Sequence, residues 1–316
     1  MIATEQLRAM VDPELIPALD SIPALGDLSQ ATLDHFRNAL SATVAEALDY
    51  DRLVIEHVII PGTGDQPDIA GILYRPNAAR KPGAALLNLH GGGYVMGSAA
   101  REDGAMRSLA NDTGCVILSI DYRLAPETPF PGPLDDCWTA LAWLHDRSAR
   151  LAIAPDRIGV RGVSAGGGLA AALSLRARDA RMHPIAFLML VYPMLDDRTG
   201  SHPHNGHFVW TADVNRFAWS AYLGNQLASP PSDAVPARAV HLAGLPRCFI
   251  ATGSIDLFAA ENLEWAKRLI DVGVEVELHV YPGAYHGFPL VGSSRVAQLF
   301  ERDCRAAIAR ALCASS

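Results

Sequence analysis

From Leu53 onward the chain alternates short apolar runs with stretches that read as helix. The runs are LVIEHVII, IAGILYRP, ALLNL, CVILSI, IGVRGV, FLMLVY, CFIAT and VELHVY. Helices are predicted between them at about 100–112, 134–147, 166–179, 260–271 and 294–312. Alternation of this kind is the pattern of βαβ units, because parallel strands need a crossover that returns over a sheet face. The first two runs are separated only by the turn PGTGDQPD and read as an antiparallel pair. The expected fold class is therefore α/β: an eight-stranded, mostly parallel sheet flanked by helices.

Two regions fall outside this alternation. Residues 1–50 precede the first strand and read as helical, with Leu33, Phe36, Leu40 and Val44 on one face. Prolines at Asp12-Pro13 and Ile22-Pro23 divide what comes before them into short pieces. After FLMLVYP a long insert runs before CFIATG and contains a helix candidate, ADVNRFAWSAYLG. Long excursions after a strand tend to cover the functional edge of such a sheet. The expected layout is a core of residues 51–194 and 236–316, with residues 1–50 and the insert 195–235 forming a helical lid.

Bulk properties narrow the function. The chain has 316 residues, half of them hydrophobic, enough for a sizeable core. Its net charge is −8, with Lys and Arg scattered, which argues against a nucleic-acid partner. No apolar run is long enough to span a bilayer, and the N-terminus lacks the basic-then-apolar pattern of a secretory leader. Cys115, Cys137, Cys248, Cys304 and Cys313 are widely spaced and form no CxxC pair, which points to free thiols in a reducing cytoplasm.

The chemistry centres on VRGVSAGGGLA, where Ser164 sits among glycines between a strand and a helix. G-x-S-x-G at such a turn exposes a serine hydroxyl above a parallel sheet. A serine needs a base within hydrogen-bond reach and an acid that orients the base. Asp256 follows CFIATG, and His286 lies in the glycine-rich loop YPGAYHGF after the last strand. Both come after strands, in the order serine, acid, histidine. Asp196 and Asp197 remain rivals for the acid on position alone. Upstream, three glycines after His90 in NLHGGGYVMGS leave backbone N–H groups free to face an oxyanion. Neither phosphate-loop spacing is present there.

With LHGGGYVMGS, DYRLAPETPFPGPLDD, GVSAGGG, the aspartate of GSIDLF and the histidine of AYHGF in this order, the chain resembles the hormone-sensitive-lipase-like α/β-hydrolases over about residues 50–310. The resemblance implies the α/β-hydrolase fold with a helical cap built from the N-terminal helices and the insert. It assigns Ser164 as nucleophile, His286 as base and Asp256 as orienting acid. The N–H groups of Gly92, Gly93 and Ala165 would form the oxyanion hole, with Gly91 shaping the loop. Two positions depart from the family pattern: Val163 stands where an acidic residue or threonine is usual, and Leu257 replaces the proline after the acid.

The expected function is a serine carboxylesterase that cleaves small, fairly apolar esters with short to medium acyl chains, without metal or organic cofactor. An amidase or deacetylase with the same triad, and a non-catalytic small-molecule receptor on the same fold, are the alternatives. Tyr94, Met96, Phe208 and Trp210 are candidates to line the substrate pocket, while most of Phe217, Trp219 and Tyr222 reads as packing within the lid. His202, His204 and His207 are interrupted by Pro203 and Gly206 and read as a solvated loop, not a metal site. Arg123 and Glu127 are expected to hold the loop beneath the site. VEVELHVY is a candidate edge strand through which two chains would pair as a homodimer.

Overall fold

The computed structural model describes residues 4–22, 25–26, 28–41, 50–77 and 82–313. Among the described residues, three short helices, α1 (Thr4–Arg8), α2 (Ile16–Leu19) and α3 (Leu33–Ser41), precede the sheet. Then come β1 (Leu53–Ile60), β2 (Ile69–Pro76), β3 (Gly83–Leu89), α4 (Asp103–Thr113), β4 (Val116–Ile120) and α5 (Gly132–Asp146). The chain continues through β5 (Ile153–Val163), α6 (Ala165–Ala180), β6 (Phe187–Val191) and α7 (Ala212–Leu223). It ends with β7 (Arg247–Gly253), α8 (Ala259–Asp271), β8 (Val276–Tyr281) and α9 (Arg295–Ile308).

The eight strands form one sheet in the order β1-β2-β4-β3-β5-β6-β7-β8. Strand β2 runs antiparallel to β1 and β4, and every other pairing is parallel. Neighbouring residues of a strand face opposite sides, so the apolar runs feed two cores. Leu87, Leu118, Val160, Leu190 and Ile250 pack on one side with Leu134 and Leu141 of α5, Leu169 and Leu173 of α6, and Trp265 of α8. Leu86, Ile117, Met189 and Phe249 pack on the other with Met106 of α4 and Phe300 of α9. Every residue of β4 and β6 is buried, which explains why those runs show no polar alternation.

Helix limits follow local chemistry and lie within two residues of the sequence expectation, except at two ends. The region near 100 opens with a 3-10 turn, Ala99–Glu102, before α4 begins, and Gly114 closes α4 in the left-handed region at φ 71°. Ser294 caps α9 by accepting the N–H of Ala297, and the last turn, Ala309–Cys313, widens to π geometry. The side chain of Leu40 and all of Val44 and Pro23 lie outside the described residues.

The N-terminal segment is tied to the carboxyl end of the sheet. Asp12 donates its N–H to the Gly283 carbonyl at 3.0 Å, and the Tyr285 hydroxyl donates to the Leu15 carbonyl at 3.2 Å. From α3, Arg37 donates to the carbonyls of Val95 and Ala125 and forms a bidentate pair with Glu127. Arg123 pairs with the buried carboxylate of Asp136, so the expected role of Arg123 and Glu127 as loop anchors is what the contacts show. Among the described residues no helix is long and apolar enough to cross a membrane.

Candidate active site

Ser164 occupies the single residue between β5 and α6. Its backbone sits at φ 54°, ψ −117°, a conformation that L residues adopt only when their surroundings impose it. The imposition is visible. Ser164 donates its N–H to the Val191 carbonyl at 2.9 Å, and its own carbonyl accepts from Met194 at 2.9 Å and Gly168 at 3.1 Å. The turn is also too tight for side chains: a Cβ on Gly162 would lie 2.1 Å from the Gly166 carbonyl oxygen.

The hydroxyl that this turn projects lies 3.0 Å from Nε2 of His286. On the far side of the ring, Nδ1 of His286 lies 2.8 Å from Oδ2 of Asp256. The other carboxylate oxygen accepts the N–H of Phe258 at 2.8 Å, so Asp256 is held at both oxygens and is 1 % exposed. Tyr192, Phe258 and Trp210 surround the imidazole, with ring centroids at 4.6, 5.2 and 5.9 Å. The rival acids are engaged elsewhere: Asp196 pairs with Arg198 and Asp197 with Arg238, each at 2.8 Å. A hydroxyl, an imidazole and a buried carboxylate in this chain can shuttle one proton away from and back toward a reacting centre.

The glycine loop closes the site from β3. Gly92 has φ 127°, and a Cβ there would meet the Met96 carbonyl oxygen at 2.1 Å, so only glycine permits the turn. Among the described residues no acceptor takes the N–H of Gly92 or Gly93. The N–H of Ala165, in the first turn of α6, has no partner within its helix. By contrast, the N–H of Gly91 turns away toward Oε1 of Glu102 at 3.4 Å. Glu102 also accepts from Asn88 and Arg161, forming a polar plug beneath the loop. His90 is stacked on Tyr122 at 4.2 Å, and burial pushes its pKa down, which favours a neutral ring.

Ser164 and His286 open into a pocket enclosing about 840 Å³, part of it open to solvent. Met96 and Trp210 line it as expected, together with Leu25, Val163, Tyr192 and Leu290. Tyr94 and Phe208 do not. Tyr94 is fully buried, stacked on Tyr222 at 4.0 Å, with its hydroxyl donated to the Met194 carbonyl. Phe208 turns toward Tyr285, and its neighbour Val209 faces the pocket instead. Residues of the site that carry no motif signal are Tyr192, hidden at the end of an apolar run, and Glu102 and Asn205, which act across long separations. Asn205 donates its amide to the carbonyl of Asp256 at 3.1 Å, so the SHPHNGH loop braces the loop carrying that acid. Among the described residues no three potential ligands gather to hold a metal.

Residues 86–290 match the alpha/beta hydrolase fold family. The chain is 32 % identical to the esterase LipI of Mycobacterium tuberculosis over 90 % of both sequences. A solved bacterial heroin esterase superimposes with a TM-score of 0.88 at 36 % identity, covering 96 % of this chain and 98 % of the other. A shorter stretch, 38 % of this chain, is 39 % identical to 16 % of bovine (Bos taurus) hormone-sensitive lipase. The family match, the shared eight-stranded architecture and these relatives together establish that the chain belongs to the hormone-sensitive-lipase-like α/β-hydrolases and is a carboxylic ester hydrolase.

Proposed function

We propose that Ser164 is the nucleophile of a two-step esterase acting on small, fairly apolar esters with short to medium acyl chains. His286 takes the hydroxyl proton as Oγ attacks the acyl carbon, and Asp256 holds the ring in the required tautomer and stabilises the imidazolium. The N–H groups of Gly92, Gly93 and Ala165 receive the developing oxyanion, each worth on the order of 10²-fold or more in rate. His286 then protonates the leaving alcohol, and water repeats the sequence on the acyl-enzyme. The observation that carries this reading is the chain of 3.0 and 2.8 Å contacts from Ser164 through His286 to Asp256.

The substrate class is read from the walls. Met96, Val163, Val209, Trp210 and Leu290 give the pocket apolar surfaces, with Val163 where an acid or threonine is usual, while Arg101 and Glu102 add a charged patch to its lining. Residues 195–235 and the N-terminal segment serve as the cap, supplying Val209 and Trp210 from the insert and Leu25 from the connection between α2 and α3 to the pocket. A chromogenic ester series from acetyl to long-chain acyl, run with Ser164→Ala beside the wild type, tests this. Turnover that falls with chain length and vanishes in the variant is expected; undiminished turnover in the variant would remove Ser164 from the chemistry.

Two further assignments belong to this reading. The five unpaired thiols favour a cytoplasmic location, checked by fractionation of the native host. Strand β8 ends the sheet with an unpaired edge on which Val280 is 42 % exposed, and it is the proposed homodimer contact. A native mass equal to one chain would refute that contact.

A further inference from the structure

We propose that Asn215, Thr199 and Glu261 form a positioning chain that sets Trp210 against Gly93, and so holds the oxyanion loop and the wall beside His286 in register with the helix that follows Asp256. The inference rests on reading Gly93 as an oxyanion donor.

The chain begins on α8. Oε1 of Glu261 accepts the N–H of Leu195 at 2.6 Å and that of Asp196 at 3.4 Å, while its other oxygen accepts the Thr199 hydroxyl in a close contact. Burial pushes this carboxyl well above the usual range, and the three donors oppose the shift. The next residue, Asn262, donates to the Pro193 carbonyl at 2.7 Å. The first residues after β6 are thus fastened to the start of α8, a few residues beyond Asp256.

From there the contacts run inward. The Thr199 carbonyl accepts the amide of Asn215 at 3.0 Å, and Asn215 Oδ1 accepts the indole N–H of Trp210 at 3.3 Å. Asn215 is fully buried, so its amide has no solvent alternative. The indole ends on the oxyanion loop: a Cβ built on Gly93 would lie 2.2 Å from its Cη2. With that edge against it, the left-handed turn at Gly93 (φ 62°) has no room to move toward the insert.

A second observation separates this from ordinary packing. Among the described residues, the buried indole nitrogens of Trp143, Trp219 and Trp265 have no hydrogen-bond partner. The fold tolerates unpartnered indoles in its interior, yet the indole at the pocket wall has a buried amide aligned on it. That amide in turn is held by a carbonyl whose own residue is bonded to a buried carboxyl. The arrangement fixes the orientation of Trp210 and not merely its burial.

The test compares wild type, Trp210→Phe, Asn215→Leu and the double variant on p-nitrophenyl acetate, recording kcat, KM and thermal midpoint. Each single variant is expected to lower kcat on the order of tenfold with KM changed less than about threefold, the signature of a displaced oxyanion donor. The double variant should be no slower than the worse single one, because both remove the same link. Glu261→Gln, which still accepts both backbone N–H groups, should keep more activity than Glu261→Leu. If Asn215→Leu does not fold, Thr199→Val breaks the chain one step away and should lower kcat in the same direction. A folded Asn215→Leu with wild-type kcat, or single effects that multiply in the double variant, would overturn the proposal. Loss of activity in Ser164→Ala beside such a result would leave the esterase reading standing; full activity in Ser164→Ala would overturn both.

Discussion

An alanine at position 166 would place a methyl group 2.1 Å from the Leu89 carbonyl oxygen and 2.4 Å from that of His90. Both obstacles are backbone, so no side chain can swing aside. Ordinary contact distance starts near 3.4 Å, and the first turn of α6 must separate from the end of β3. In a close-packed interior that separation amounts to about 1 Å. The two elements carry the proposed oxyanion donors on opposite sides, Ala165 on α6 and Gly92 with Gly93 beyond β3. Misplacement on this scale costs about 10²-fold in rate, and the overpacking costs about 1–3 kcal/mol of stability. The assay is kcat on a short-chain ester together with the denaturation midpoint. Gly292→Ala serves as control, since a Cβ there meets nothing within 4 Å. Gly166→Ala with kcat within about threefold of wild type and an unchanged midpoint would refute the reasoning from close approach.

Three other outcomes are expected. Asp256→Asn keeps the acceptor for the Phe258 N–H but turns an amide toward Nδ1 of His286, favouring the wrong tautomer, and should lower kcat by about 10⁴-fold. Asp196→Asn should retain activity, because Asp196 is paired with Arg198; loss as large as that of Asp256→Asn would reverse the choice of acid. The third concerns acid stability. Arg37 holds the Glu127 carboxyl down to about 2 from an ordinary 4.5. A depressed carboxylate contributes stability above its ordinary pKa, and that contribution fades as pH falls from about 4.5 toward 2. Glu127 is more than half exposed, so the pair is worth no more than about 1 kcal/mol. The midpoint gap between wild type and Glu127→Gln should therefore close on acidification, and a gap that persists to pH near 2 would contradict it.

The sheet was legible because apolar runs between helices leave few alternatives, and Ser164 and His286 because their neighbours are the glycines that a strained turn and a tight loop require. The choice of Asp256 over Asp196 and Asp197 was not open to position alone. It depends on Arg198 and Arg238 claiming the rivals, contacts that no spacing announces. Tyr94 and Phe208 show a different limit. Beside an irregular loop no periodicity says which way a side chain turns, and Tyr94, at φ 64°, points into the packing with Tyr222. Asn215 and Glu261 carried no motif signal, since each acquires meaning only from a partner brought near by folding. The SHPHNGH loop read as solvated for its histidines, and the residue that matters there is Asn205.

The most direct test of Ser164 as the nucleophile is covalent labelling. Wild-type protein treated with a p-nitrophenyl alkylphosphonate should gain the mass of one phosphonyl group, release p-nitrophenol and lose esterase activity in step. The modified peptide should contain Ser164, and Ser164→Ala should gain no mass. Stoichiometric labelling of another residue, or undiminished labelling of folded Ser164→Ala, would contradict the assignment of the nucleophile.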